Sequence, residues 1–253
     1  GTNEGTDPDY GAYSLAASAF LMDRTEVTKS QWDAVRAWAL TRGYTDLPEG
    51  GGKDTNHPVQ TVNWYDCVKW CNARSQKAGL APVYYTNAVM TQVYKTGREL
   101  EPYVKASANG YRLPTEVQWE YAARGGVANR RFPWSDSDEI QHARANYYSS
   151  SSYTYDTSPT RGYTPTGLIG GYPYTSPAGS FAANGYGLYD MAGNVHEWCY
   201  DWSPGYVNSF HVLRGGGWVY NADSCRVGGR DGGKPDYAID GIGFRAVLPP
   251  GQP

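Results

Sequence analysis

Only four cysteines, five phenylalanines and three methionines occur among the 253 residues. Four thiols are too few for a disulfide-dense scaffold in a chain of this size, so a hydrophobic core must hold the fold. No apolar run approaches the roughly 18 residues that a membrane-crossing helix needs, so no direct span is expected. No basic cluster is present either, and the formal net charge is −3. Nucleic acid and anionic membrane are therefore not expected as partners.

What is abundant is tyrosine and tryptophan, 23 and 9 residues respectively, together with 31 glycines. Such rings have an apolar face and a polar edge, which suits a loop-rich fold with half-buried rings or a contact surface. The length suffices for one large domain, and no shift in composition divides it. The polar stretch 1–18 reads as a lead-in, the remainder after a removed targeting segment, with the folded domain spanning 19–248.

Local signals place three helices. After a strand expected over Ala19–Val27, Thr28 and Gln31 have capping-box spacing ahead of a helix Lys29–Leu40, with Trp32, Val35 and Trp38 on its inner side. Asn63 caps a second helix, Asp66 complements its dipole, and Cys67, Trp70 and Cys71 share a face as buried thiols and core. Thr115 and Gln118 cap a third, with Trp119 and Ala122 inward and Gly125 as its stop. Val83–Ala106 reads as strand, loop and strand. The irregular region after it contains a Ser/Tyr-rich insertion at about 147–178, too aromatic for a linker. It is expected to be ordered and laid over the surface beside the C-terminal loop.

Two stretches carry candidate chemistry. In NGYGLYDMAGNVHEWCYDW, Asp190, Asn194 and Glu197 cluster around two glycines, offering oxygen ligands suited to calcium. The alternative is that Asp190 and Glu197 cap a turn and pair with arginine side chains such as Arg214 or Arg230. The second stretch, Leu213–Val247, opens with a glycine run, closes with an apolar strand, and has no helical or strand period between. It reads either as a connecting loop or as a contact surface braced at both ends. Cys199 and Cys225 are the better candidates for mutual proximity.

RLPTEVQWEYAARGG, NGYGLYDMAGNVHEWCYDW, VLRGGGW and GIGFRAV, in that order, resemble the formylglycine-generating enzyme (sulfatase-modifying factor) family. FLMDRTEVTKSQWDAV and HPVQTVNWYDCVKWCN fit the same family's N-terminal half, so the resemblance runs from Phe20 to Val247. It implies an α+β, C-type-lectin-like fold as a loop-rich single domain. It also implies a structural calcium site at Asp190, Gly193, Val195 and Glu197, and a second site starting near Asn146 and Tyr147, where Asp156 is the carboxylate within the insertion. Oxidising members of the family use two closely spaced cysteines after the glycine–aromatic motif to hold copper. Here Trp218 is followed by Cys225 as the lone thiol, so no copper and no such enzyme activity are expected.

The C-terminal stretch, about 214–247, is also similar to the variable region of diversity-generating-retroelement proteins, which use this fold for display. That resemblance implies a ligand-binding surface of Val219, Tyr220, Ser224, Val227, Gly229, Asp231, Lys234, Tyr237, Ile239 and Asp240. The expected partner is a protein or other macromolecule, bound by a monomer at the cell surface or outside the cell and lipid-anchored through the removed N-terminal segment. The alternative is a divergent formylglycine-generating-type oxidase or another cysteine-modifying enzyme, with Cys199 and Cys225 as its thiols.

Overall fold

The computed structural model describes residues 17–98, 101–169 and 172–251, so most of the lead-in lies outside the described residues. In chain order the strands are β1 (Leu21–Met22), β2 (Tyr84–Tyr85), β3 (Tyr103–Val104), β4 (Tyr148–Ser149), β5 (Gly162–Tyr163), β6 (Leu168–Ile169), β7 (Tyr172–Pro173), β8 (His196–Trp202), β9 (His211–Arg214), β10 (Asp231–Gly233), β11 (Ile242–Gly243) and β12 (Val247–Leu248). The helices are α1 (Lys29–Leu40), α2 (Trp64–Lys77) and α3 (Glu116–Arg124). All three start at a reciprocal capping box, with Thr28, Asn63 and Thr115 as the caps. Each box satisfies backbone donors that the first turn leaves open, which is why local sequence places these starts so well.

The one larger sheet has the order β10-β9-β8-β11, with β11 parallel to β8 and the other pairs antiparallel. β1 pairs with β12, which brings the two ends of the domain together. The strand expected over Ala19–Val27 is reduced to two residues. Beyond it the chain keeps only separate bonds to the C-terminal segment, Asp23 N to Ala246 O and Val27 N to Phe244 O, both 2.9 Å. The loop expected between Gly217 and Ile242 is not free of strand. β10 forms there because its backbone completes the edge of β9.

The main core joins the helices to the C-terminal motif. Trp32 of α1 and Trp70 of α2 stack 5.8 Å apart, and Phe244 stands edge-on to both at 6.0 and 5.3 Å. A second cluster around Trp119, Met191 and Cys199 includes Val227. A third holds Phe132, Ile140, Tyr147 and Cys225. Cys199 and Cys225 thus belong to different clusters, and all four thiols are free and buried, which corrects the expected proximity.

The described residues of the insertion lie against the C-terminal segment. Tyr148 N donates to Tyr220 O at 2.8 Å, and the rings of Tyr163 and Trp218 are 6.0 Å apart. Its hub is buried Asp156, which accepts from Tyr147 Oη (2.7 Å), Ser149 Oγ (3.0 Å), Ser150 N (2.8 Å) and Ser158 N (3.2 Å) and pairs with Arg161. Burial works to raise the Asp156 pKa, but these donors outweigh it and hold the carboxyl below its usual range. Its oxygens are occupied by protein donors, so it does not fit the second calcium site.

Candidate functional site

The C-terminal segment is built as a buried frame carrying outward side chains. β9 delivers Arg214, fully buried, whose guanidinium donates to the Glu120 carboxylate of α3 and to the Gly229 carbonyl. Arg230 donates to Glu116 on the same helix. The chain then turns through Gly216 at φ +71°, where a Cβ would sit 2.7 Å from Cys225 Sγ, so only glycine fits. Trp218 is 7% exposed, and its indole Nε1 donates to Asp240 O at 3.0 Å, closing the loop on itself. Thr61 N to Ile239 O (3.0 Å) and Trp64 N to Pro235 O (3.1 Å) staple the far side to the start of α2.

Of the ten expected contact residues, Asp231, Lys234, Tyr237 and Asp240 are exposed, and Val219, Tyr220, Ser224 and Ile239 are half-buried. Val227 and Gly229 are not on the surface. Val227 is 0% exposed beside Trp119 and Met191, and buried Gly229 holds Arg214 through its carbonyl. Both belong to the frame, because the turns after Ala222 carry this part of the segment inward under α3.

Tyr220 lies where several of the outward groups meet. Its ring packs on His196 at a centroid distance of 4.3 Å. Burial and then Asp231, Tyr237 and Asp240 raise its hydroxyl pKa, which places those groups within electrostatic reach of one another. His196 is buried, and desolvation pushes its pKa down to about 4, so the ring is neutral at pH 7. Burial pushes the Cys225 thiol up as well, away from the thiolate that a soft metal or a nucleophilic step requires.

The expected calcium turn is occupied differently. Both oxygens of Glu197 are bound to Arg245, Oε1 by Nη2 at 2.6 Å and Oε2 by Nε at 2.7 Å, and Oε2 also accepts from Trp119 Nε1 at 2.7 Å. Arg245 is fully buried. Burial opposes its charge, yet Glu197 more than compensates and raises its pKa. The open alternative holds in that Glu197 pairs with an arginine, but the arginine is Arg245, whereas Arg214 and Arg230 bind glutamates of α3. Gly193 sits at φ +81° with its amide bonded to Gly215 O at 2.7 Å, and a Cβ there would lie 2.4 Å from Asn146 O. Beside it, Val195 is a buried core residue.

Asp190 accepts from Gly179 N through Oδ2, while its Oδ1 and Glu26 Oε2 have no donor among the described residues. Burial raises the pKa of both carboxyls, and each feels the other. The set Asp190, Gly193, Val195 and Glu197 therefore does not fit calcium as expected. A dication on Glu197 would have to displace a buried guanidinium. Glu26 and Arg245, neither expected at this site, complete it. Their signals, DRTEV and GFRAV, stand at opposite ends of the chain.

With the geometry established, known proteins supply the family. The model of the sulfatase-modifying factor enzyme 1-like domain matches residues 3–249. The chaperone protein LppX of Paenibacillus barcinonensis is 33% identical over 228 residues, covering 86% of this chain and 76% of its own length. The formylglycine-generating enzyme of Streptomyces coelicolor is 36% identical over 278 residues, covering 95% and 82%. Among solved structures, the Treponema denticola variable protein 1 aligns with a TM-score of 0.72 and 29% identity, over 96% of this chain and 90% of that one. These relatives include an enzyme, a protein named for chaperoning and one named for variability, so membership alone does not assign an activity. The fold is the loop-rich, C-type-lectin-like α+β fold expected from the motifs, and the chain belongs to the sulfatase-modifying factor enzyme 1-like family.

Proposed function

We propose that this chain is a non-enzymatic ligand-binding protein that presents its C-terminal face to a macromolecular partner at the cell surface, the face being diversified by a retroelement. The observation that carries this reading is the division of burial within one segment. Arg214, Trp218, Cys225, Phe244 and Arg245 are buried, while Asp231, Lys234, Tyr237 and Asp240 are exposed. Side chains that fill no core space can be exchanged with little loss of stability, which is what a display surface requires. Tyr237, half exposed, supplies an aromatic anchor, and the surrounding charges tune selectivity. The likeness to the Treponema denticola variable protein 1 supports the same reading.

The chemistry of the segment argues against an oxidase. It offers one thiol, Cys225, which is buried and held protonated, and Cys199 lies in another core cluster. Sequencing this locus in many sister isolates tests the proposal. Substitutions should concentrate between Val219 and Asp240 at the exposed positions, with Arg214, Trp218, Val227 and Phe244 fixed. An even spread along the chain would remove the display reading. Copper or iron that co-purifies and is lost in Cys225→Ser would favour the divergent oxidase instead.

A further inference from the structure

We propose that the cleft formed by Trp64, Tyr65, Glu101, Trp202, Asn208 and His211 is a pocket for an alkylammonium group, the head of a lysine side chain presented by the partner. Only the lysine's origin in a partner rests on the display reading; the pocket's chemistry stands on its own geometry. The cleft has a volume of about 190 Å³, suited to a side-chain head rather than to a drug-sized molecule. Buried Trp64 and His211 form its floor, half-buried Tyr65 and Trp202 its walls, and exposed Glu101 and Asn208 its rim.

The floor is held by stacking. The His211 ring lies 3.8 Å from Trp64 on one side and 3.8 Å from Trp202 on the other, with interplanar angles of 5° and 19°. His211 Nδ1 is 3.2 Å from the Asp201 carbonyl oxygen, which can only accept, so Nδ1 carries the proton and Nε2 is bare. Nε2 has no partner among the described residues. Burial pushes the His211 pKa down to about 4, which keeps the ring neutral at pH 7. The six lining residues therefore bring one carboxylate, three large aromatic rings and no cation. Trp202 Nε1 donates to Glu101 Oε1 at 3.1 Å and sets that carboxylate against the aromatic wall. A carboxylate beside indole and phenol rings is the combination that attracts an ammonium ion.

The position also fits. The Trp64 amide is bonded to Pro235 O, and the Tyr65 hydroxyl feels Asp236 as well as Glu101, so the cleft adjoins the Lys234–Tyr237 stretch of the display face. Over residues 231–240 that face exposes Asp231, Asp236 and Asp240 against Lys234. Its excess of negative charge favours a basic partner.

The test titrates the whole chain with n-butylammonium, the lysine side-chain mimic, while following the Trp202 indole N–H by NMR. Millimolar amine should shift this resonance to saturation, and the neutral isostere n-butanol should not. Glu101→Gln, a rim change that leaves the spectrum otherwise intact, should weaken binding about tenfold. Equal shifts with n-butanol, or unchanged affinity in Glu101→Gln, would overturn the inference. Because the probe is a small amine, the outcome is independent of the sister-isolate sequencing, and either reading can fail alone.

Discussion

Replacing Arg245 with methionine probes whether a buried ion pair, rather than a cation, holds the turn beneath the C-terminal face. The substitution removes both bonds to Glu197, at 2.6 and 2.7 Å, and the bond from Nη2 to Tyr189 O at 3.0 Å. Methionine roughly preserves the packing, so the loss is chiefly electrostatic. Glu197 is left fully buried with the Trp119 indole as its one remaining donor among the described residues, next to Glu26 and Asp190. Stranding one partner of a buried pair costs about 3–5 kcal/mol. For a domain of this size each kcal/mol lowers Tm by ~2–4 °C, so a fall of about 10 °C is expected in a thermal melt. Adding Glu197→Gln to Arg245→Met removes the stranded charge and should recover much of the loss. A single-variant loss below about 1 kcal/mol, or a double variant as unstable as the sum of the singles, would refute this account of the turn.

Three further outcomes follow from the same geometry. Val227→Ala should cost about 2 kcal/mol in a urea titration and Tyr220→Ala about 1 through its lost stacking on His196, while Tyr237→Ala stays within about 0.5. Equal losses at Val227 and Tyr237 would erase the boundary between frame and surface. His211 has a folded pKa of about 4 against 6.5 when unfolded, so the unfolded chain binds more protons between those values. Its stabilising contribution, up to about 3 kcal/mol, is present above pH 6.5 and lost as pH falls toward 4. His211→Phe, which keeps the stacking, should remove about half of that slope, the rest coming from His196 with its similar folded pKa of about 4, and an unaltered slope counts against the assignment. Millimolar calcium or its chelation should leave Tm unchanged at pH 7. A calcium-dependent rise of several degrees would mean that the cation, not Arg245, satisfies Glu197.

The elements legible in the sequence are those whose causes are local. The three helix starts depend on contacts three residues apart, Thr28 with Gln31, Asn63 with Asp66 and Thr115 with Gln118, and each stands where its spacing places it. The ordered motifs likewise identify the family, because they are strings of neighbours. The outward positions of Asp231, Lys234, Tyr237 and Asp240 follow from the resemblance to a variable region, which implied them together with six others. Val227 in that same stretch looked no different from its neighbours. Its burial depends on the turns that carry it beneath α3, against Trp119 more than a hundred residues earlier.

Charge pairing was the least legible feature. The sequence offers Arg214 and Arg230 among the arginines that could pair with the acidic turn, whereas the partner that the folded sheet supplies is Arg245. β9 aims Arg214 at α3, whereas the segment after β11 brings Arg245 onto Glu197. The cleft of Trp64, Glu101, Trp202 and His211 draws on four separate stretches and has no motif at all. Local sequence determines where a helix begins and which segments turn, because backbone donors are satisfied by near neighbours. Which charges meet, and which rings enclose a cavity, is set by crossings between distant segments, whose geometry exists only once the core has packed.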